Sequence, residues 1–297
     1  MKAARATRRL ALLVGAWLLA PVAGAEEAKV ESGALHGAVD AGVVRFLGIP
    51  YAAPPVGERR WAPPEAPPAW RGNRDATAHG PGCMQAIAPD GFGPWTSEYV
   101  TPAPVSEDCL TLNIWAPEKR DDGQLPVMLW IHGGAFMSGS NSVPIYDGAA
   151  LARQGIIVVS INYRLGVFGF AGFRALADAP GSGTNFGLQD ILAALRWTQR
   201  NIGAFGGDPA QVTVAGQSAG AMAVHMLLLS PQADGLFARA IAQSGVIETP
   251  LPGRDDAYRR GDDLLARAKL ADVAALRRLP AAPGVAAREA GRPAGSR

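Results

Sequence analysis

Two almost uninterrupted apolar runs place the tightest limit on how this chain folds. Pro126–Ile131 reads PVMLWI and Ile156–Ile161 reads IIVVSI, and glycine or polar residues follow soon after each run. Continuous apolar runs of this length suit strands that are buried on both faces of a parallel sheet. The two runs therefore predict a sheet that is covered by other elements on both sides.

Helical patterns alternate with the runs along the rest of the chain. Further strands are predicted at Val43–Ile49, Leu110–Trp115, Gln211–Ala215 and Ala238–Ala242. Helices are predicted at Phe186–Ile202, Ala221–Leu229 and Asp262–Leu279. Such alternation is typical of an α/β fold with a mostly parallel central sheet flanked by helices.

The first 25 residues differ from the body of the chain. Four basic residues occur in the first nine positions, an uncharged apolar run follows, and the segment ends in Ala23-Gly24-Ala25. This order predicts a secretory signal peptide (1–25) cleaved after Ala25, with a membrane anchor as the alternative. The formal net charge of the whole chain is only +2, so the body is near neutral and nucleic acid is not an expected partner.

Cys83 and Cys109 are the only cysteines. In an exported chain an even number of cysteines favours a disulfide, and two buried free thiols are the alternative. Neither cysteine has a His or Cys neighbour at metal-ligand spacing, so no metal site is expected.

The C-terminal residues change in composition. Residues 280–297 are almost wholly Ala, Pro, Gly and Arg and contain no aromatic residue, Leu or Ile. Such a segment does not form a buried strand, so it is predicted to be a disordered tail or the product of a reading-frame slip. The preceding residues 26–279 are expected to form one domain, because apolar residues make up 48% of the chain.

The pentapeptide Gly216-Gln217-Ser218-Ala219-Gly220 lies between a predicted strand and a predicted helix. This is the form of a nucleophile elbow, in which a sharp turn presents a serine hydroxyl at a helix N-terminus. Gly216 and Gly220 provide the space that the turn needs. Ser218 is therefore the predicted nucleophile, and a purely structural turn is the alternative.

A second glycine motif follows the strand at 126–131. His132, Gly133 and Gly134 precede Ala135-Phe136, and two successive glycines allow backbone N–H groups to approach a substrate oxygen closely. This loop is a candidate oxyanion hole. His132 and Gly133 are expected to shape the loop, and a catalytic role for His132 is the less favoured alternative.

Five segments in order resemble the type-B carboxylesterase family, the cholinesterase-like branch of the α/β-hydrolases. They are FLGIPYAAPPVGERRW (46–61), SEDCLTLNIWAP (106–117), WIHGGAF (130–136), INYRLGVFGF (161–170) and FGGDPAQVTVAGQSAG (205–220). The resemblance extends from about Val30 to Leu279 and implies the α/β-hydrolase fold. It also implies hydrolysis of small-molecule carboxylic esters without a cofactor, through an acyl-enzyme on the serine.

The resemblance assigns further residues. It implies that the backbone N–H groups of Gly134, Ala135 and Ala219 form the oxyanion hole and that Cys83 pairs with Cys109. It also implies two structural ion pairs, which are Arg60 with Glu107 and Arg164 with Asp208.

The remaining members of a catalytic triad have no match in this chain. In α/β-hydrolases the order is serine, acid, histidine, and the only histidine after Ser218 is His225, which is about two helical turns along the same helix. Glu248 and Asp255-Asp256 follow too early to match the family acid. The sequence thus resembles the N-terminal portion of the family domain, and the predicted sheet would end in an unpaired edge with apolar faces uncovered. An inactive protein or a binding module of esterase fold is therefore the alternative to an esterase.

Overall fold

The computed structural model describes residues 25–87, 96–102, 104–119, 123–178, 183–245 and 253–281. Its strands are β1 (Ala25–Val30), β2 (Gly33–Asp40), β3 (Val43–Pro50), β4 (Asn73–Asp75), β5 (Gly82–Cys83), β6 (Val105–Ser106), β7 (Thr111–Pro117), β8 (Leu125–Ile131), β9 (Ile157–Ile161), β10 (Gly207–Gln217) and β11 (Arg239–Gln243). Its α-helices are α1 (Ala149–Ala152), α2 (Gly166–Phe170), α3 (Phe186–Asn201), α4 (Ala219–Leu228), α5 (Arg254–Ala268) and α6 (Val273–Arg277).

Within these ranges nine strands form one sheet in the order β1-β2-β3-β7-β9-β8-β10-β11, with β4 paired to β2. The steps from β9 through β8 and β10 to β11 are parallel, whereas those from β1 to β9 are antiparallel. The fold is the predicted α/β class. The sheet, however, is mixed: the half that leads to Ser218 is parallel, and at the other end β4 also pairs parallel with β2.

The sheet is buried on both faces at its centre, as the apolar runs predict. All five residues of β9 are buried. Ile157, Val159 and Ile161 belong to the main hydrophobic core, whereas Val158 belongs to a smaller cluster with Trp115 and Ala152 of α1. Successive strand residues point to opposite faces, so the apolar side chains of β9, which occupy every position apart from Ser160, suit a strand that is covered on both faces.

The N-terminal hairpin of β1 and β2 was not predicted as strands. β1 reads AEEAKV, and its six residues pair antiparallel with β2. Half-exposed strands of this kind contain too few apolar residues to give a strong signal. β1 also begins at Ala25, the last residue of the predicted signal peptide, whereas residues 1–24 lie outside the described ranges.

β11 is the last strand of the sheet within the described part of the chain, and apolar residues near it are exposed. This agrees with the predicted unpaired edge. β11 pairs only with β10, and all five of its residues are exposed. Ile241 of β11 is 43% exposed, and Leu228 and Leu229 at the end of α4 are 56% and 80% exposed. An apolar patch therefore lies at this edge of the sheet.

The predicted helix Asp262–Leu279 is two helices, α5 and α6. α5 already starts at Arg254 and stops before Lys269, which has a left-handed backbone (φ 54°). Asp272 then caps α6 by accepting a hydrogen bond from the Ala275 N–H at 2.7 Å. Of the predicted tail, only 280–281 lie within the described ranges.

Candidate active site

Ser218 is the single residue that connects the end of β10 to the start of α4. Its backbone has φ 56° and ψ −120°, a region that residues other than glycine rarely adopt. Its N–H donates to Gln243 O of β11 at 2.8 Å, and its carbonyl accepts from the Met222 N–H of α4 at 2.9 Å. The sharp corner predicted from the pentapeptide is present, and the Ser218 side chain is only partly buried.

The flanking glycines are required because backbone atoms lie where their side chains would be. A Cβ atom at Gly216 would lie 2.5 Å from Gly220 O, and one at Gly220 would lie 2.1 Å from Ile131 O of β8. The first residues of α4 are thereby packed directly against the end of the neighbouring strand. The corner can form only with both glycines in place.

The glycine loop (133–139) lies beside this corner. A Cβ atom at Gly133 would lie 3.2 Å from Ser218 Cβ, so the start of the loop touches the serine. Gly134, Ala135 and Phe136 all have positive φ angles, of 110°, 55° and 59°. This backbone turns away from the strand immediately after the contact with Ser218.

The three N–H groups predicted to form the oxyanion hole are not used elsewhere in the described structure. Those of Gly134, Ala135 and Ala219 donate to no other described residue. Gly134 and Ala135 are partly or fully exposed, and Ala219 is the first residue of α4, where an N–H has no partner within the helix. Within the described residues, these three N–H groups therefore have no hydrogen-bond acceptor.

His132 is buried beneath the glycine loop. Its Nδ1 lies 2.8 Å from Gly133 O, and its ring stacks on Tyr163 with the ring centroids 4.5 Å apart. Burial lowers the pKa of His132 to about 4, so the ring is neutral at pH 7. These contacts suit the expected shaping role of His132 better than the role of a catalytic base.

Two contacts that hold the loop were not found from the sequence. The Tyr163 hydroxyl donates to His132 O at 2.9 Å, and the Gly166 N–H donates to Phe136 O at 2.7 Å. The Phe136 ring packs on Phe170, with ring centroids 4.8 Å apart. Tyr163 follows the apolar run of β9. Its position at the carboxyl end of a central strand was the one sequence signal that it lies near the site.

Arg60 and Glu107 form the first of the two expected ion pairs. Arg60 Nε and Nη2 each lie 2.5 Å from an oxygen of the Glu107 carboxylate. Arg60 Nη1 also donates to Leu279 O at 2.9 Å. Arg60 thus joins the loop that follows β3 to the residues before β7 through Glu107, and to the segment after α6 through Leu279.

The prediction that Arg164 pairs with Asp208 is wrong. Arg164 pairs with Asp190 of α3, and the Asp190 side chain is fully buried. Asp208 instead accepts from the Ala210 N–H and from Gln211 Nε2, both at 2.9 Å. Asp208 lies at the start of β10, where its carboxylate accepts hydrogen bonds from residues close to it in sequence. Helix α3, in contrast, places Asp190 beside the end of β9.

The Cys83–Cys109 disulfide is present and buried. It joins β5 to the residues that precede β7. The Cα atoms are 5.0 Å apart and the cysteines are 26 positions apart in sequence.

No described residue is placed as an acid or a base for Ser218. His225 lies in the middle of α4, roughly 10 Å along the helix axis from the serine. Asp256 accepts from the Gly253 N–H at the start of α5, and Glu248 lies outside the described ranges. The described residues contain no cluster of metal-ligating side chains and no helix long and apolar enough to cross a membrane.

A serine corner after a parallel strand, beside a loop of free N–H groups, defines an α/β-hydrolase site. The model of the carboxylesterase family matches residues 24–281, and the chain belongs to that family. It is 46% identical to the fumonisin B1 esterase of Sphingopyxis macrogoltabida over 253 residues, which are 84% of this chain and 44% of that protein.

The chain is also similar to other esterases, over a similar share of its length. The para-nitrobenzyl esterase of Bacillus subtilis is 47% identical over 218 residues, which are 73% of this chain and 43% of that protein. A solved structure of a PNB esterase superposes with a TM-score of 0.77 at 40% identity, covering 89% of this chain and 53% of that one. The chain thus spans less than half the length of the curated relatives that it matches.

Proposed function

We propose that Ser218 is the nucleophile of a serine carboxylesterase. The observation that carries the proposal is the strained Ser218 corner (φ 56°, ψ −120°) in contact with the glycine loop. Strain at a non-glycine residue persists only where surrounding structure imposes it, and such residues cluster at active sites. Here Gly216 and Gly220 leave the space for the close backbone approach on either side of the strained serine.

The reaction proceeds in two stages. The Ser218 hydroxyl oxygen attacks the carbonyl carbon of a carboxylic ester and loses its proton to a base. The N–H groups of Gly134, Ala135 and Ala219 stabilise the negative oxygen of the tetrahedral intermediate, whose collapse releases the alcohol and leaves an acyl-enzyme. Water then attacks the acyl carbon and releases the carboxylic acid and the free serine.

No described residue takes the role of the base or of its supporting acid. We propose that they come from the region that corresponds to the remaining length of the relatives. The residues described here form the nucleophile and the oxyanion hole. Removal of one oxyanion donor in such a site costs about 10²- to 10³-fold in rate, so this half of the site contributes to catalysis in its own right.

The substrate proposed is a small-molecule carboxylic ester, the class that the names of the relatives indicate. Export is proposed as well, on the signal-peptide pattern of residues 1–25 together with the Cys83–Cys109 disulfide. Neither a cofactor nor nucleic acid has a part in the proposed reaction.

The second candidate is a binding module of esterase fold. The observation in its favour is that no described histidine lies at Ser218. An intact corner with both glycines opposes it, because binding alone does not require a strained serine.

Labelling with a fluorophosphonate at pH 9, followed by mass spectrometry, tests the nucleophile. We expect a covalent adduct on Ser218 that is absent from Ser218→Ala and retained in Ser244→Ala, a matched control at an exposed serine that also has a positive φ. Absence of the adduct from the unaltered chain contradicts the proposal. Turnover of p-nitrophenyl acetate above the Ser218→Ala background then excludes the binding module, which gives none.

A further inference from the structure

Gln85 lies two positions after Cys83 and is almost completely buried, with 1% of its surface exposed. Its side-chain amide pairs with the backbone of Gly139 in both directions. Gln85 Nε2 donates to Gly139 O at 2.8 Å, and the Gly139 N–H donates to Gln85 Oε1 at 2.9 Å. Gly139 is the last residue of the glycine loop.

The remaining capacity of the amide is also used. Gln85 Nε2 donates to Cys83 O at 2.9 Å, and Oε1 accepts from the Thr101 hydroxyl at 3.1 Å. Both donors and both acceptor sites of the amide therefore have partners, which fixes its orientation. One side of the amide is anchored beside the disulfide, and the other side holds Gly139.

Gly139 is packed against the other end of the same loop. Its φ is 111°, and a Cβ atom there would lie 2.3 Å from His132 Nδ1 and 2.6 Å from Gly133 O. Between these ends, the Met137 and Ser138 N–H groups donate to Gly134 O at 2.9 and 3.0 Å. A shift of Gly139 would thus move Gly133 and Gly134, which lie beside Ser218.

We propose that Gln85 is a positioning residue for the oxyanion hole, which acts through Gly139 to hold the N–H groups of Gly134 and Ala135 at Ser218. The proposal rests on the proposed function. Gln85 does not touch the reacting atoms. It ties the loop to the rigid surroundings of Cys83.

Two substitutions separate this role from a general effect on stability. Gln85→Met removes all the hydrogen bonds at similar volume, and Gln85→Glu keeps the acceptors but replaces the donor nitrogen by oxygen. The matched control is Gln199, whose Nε2 also donates to two backbone carbonyls, those of Pro209 and Leu236, at 2.8 and 2.9 Å. Gln199 lies on α3, outside the glycine loop and the serine corner.

The readout is the rate of fluorophosphonate labelling of Ser218. We expect Gln85→Met to slow labelling by roughly 10- to 100-fold, the effect of a misplacement of about 1 Å, and Gln199→Met to leave it unchanged. Equal rates for the two variants overturn the proposal.

Gln85→Glu adds a pH dependence that a purely structural role would not produce. A buried carboxyl group stays protonated above its usual range and can then donate one hydrogen bond. The labelling rate of Gln85→Glu divided by that of the unaltered chain should fall as the pH is raised from 5 to 9, whereas the ratio for Gln85→Met should be low and constant. A Gln85→Glu ratio that does not change with pH also overturns the proposal.

Failure of the proposed function gives a different result. The unaltered chain would then show no labelling at Ser218, and amide hydrogen exchange of peptides covering 133–139 decides the role of Gln85. Faster exchange in Gln85→Met than in Gln199→Met supports the contact with Gly139 as the holding element, and equal exchange refutes it.

Discussion

Arg164 gives three N–H groups to the carboxylate of Asp190. Its backbone N–H and Nε donate to Asp190 Oδ2 at 3.0 and 2.8 Å, and Nη2 donates to Oδ1 at 2.7 Å. Both side chains are almost fully buried. The pair joins the segment that follows β9 to the N-terminal part of α3.

Asp190→Asn should destabilise the fold by about 3 to 5 kcal/mol, because it leaves the buried Arg164 guanidinium without its counter-charge. Urea unfolding followed by far-UV circular dichroism measures the change. Asp208→Asn is the control, since Asp208 has only neutral hydrogen-bond partners, and it should lower the free energy of unfolding by about 1 kcal/mol or less. Equal losses in the two variants would show that the buried ion pair contributes no more to the free energy of unfolding than the hydrogen bonds of Asp208.

The sequence predicts Asp208 as the partner of Arg164, whereas the structure has Asp190, and this difference has a physical reason. A motif identifies residue types and local geometry, so the strands β8 and β10, the Ser218 corner and the disulfide could all be predicted. The partner of a buried charge depends on how a helix packs on the sheet. α3 and the start of β10 both carry an aspartate, and nothing in the sequence decides which carboxylate reaches Arg164.

The strands at the N-terminal end of the sheet, β1, β2 and β4, were harder to predict for a different reason. Most residues of β2 are only partly buried, and all three residues of β4 are exposed. Such strands are set by pairing with their neighbours more than by their own composition. Gln85 was missed because a lone glutamine has no sequence signature, and its role becomes visible only when Gly139 is placed next to it.

Reduction of the Cys83–Cys109 disulfide should lower the free energy of unfolding by about 3 to 4 kcal/mol in the chain-entropy account, because the bond joins residues 26 positions apart. Urea midpoints with and without a reductant measure the loss. The double variant Cys83→Ala/Cys109→Ala should be about as unstable as the reduced chain and should not respond to the reductant. A midpoint that the reductant leaves unchanged in the unaltered chain would contradict the prediction.

Gly220→Ala should destabilise the chain by about 1 to 3 kcal/mol and also slow the labelling of Ser218. The added methyl group would lie 2.1 Å from Ile131 O, which is backbone and cannot rotate away. Gly203→Ala is the control, because a methyl group there meets nothing within 4 Å. If both variants unfold at the same urea concentration, the close approach of α4 to β8 does not constrain the corner.

The uncovered edge at β11 should make the chain self-associate at high concentration, because an unpaired strand edge can pair with another chain. Ile241→Lys should shift sedimentation-velocity profiles toward the monomer. Ile145→Lys is the matched control, since both isoleucines are 43% exposed and Ile145 lies away from the sheet edge. An equal effect of the two lysines would indicate general repulsion and not the edge strand.

His132 should make the fold less stable in mild acid. Burial lowers its pKa from 6.5 to about 4, so the unfolded chain binds the proton at a higher pH than the folded chain does. The stability from this residue is complete above about pH 6.5 and is lost as the pH falls toward 4, by up to about 3 kcal/mol. Burial also lowers the pKa of His79, which acts in the same direction.

Comparison of variants isolates the part due to His132. Urea unfolding at pH 7.5, 5.5 and 4.5 should show a smaller loss of stability on acidification in His132→Asn than in the unaltered chain. His225→Gln, which replaces a partly buried histidine of α4 by an amide, is the matched control. Parallel pH profiles for His132→Asn and the unaltered chain would mean that the folded protein accommodates a protonated His132, and the stacked arrangement with Tyr163 would then not exclude the charge.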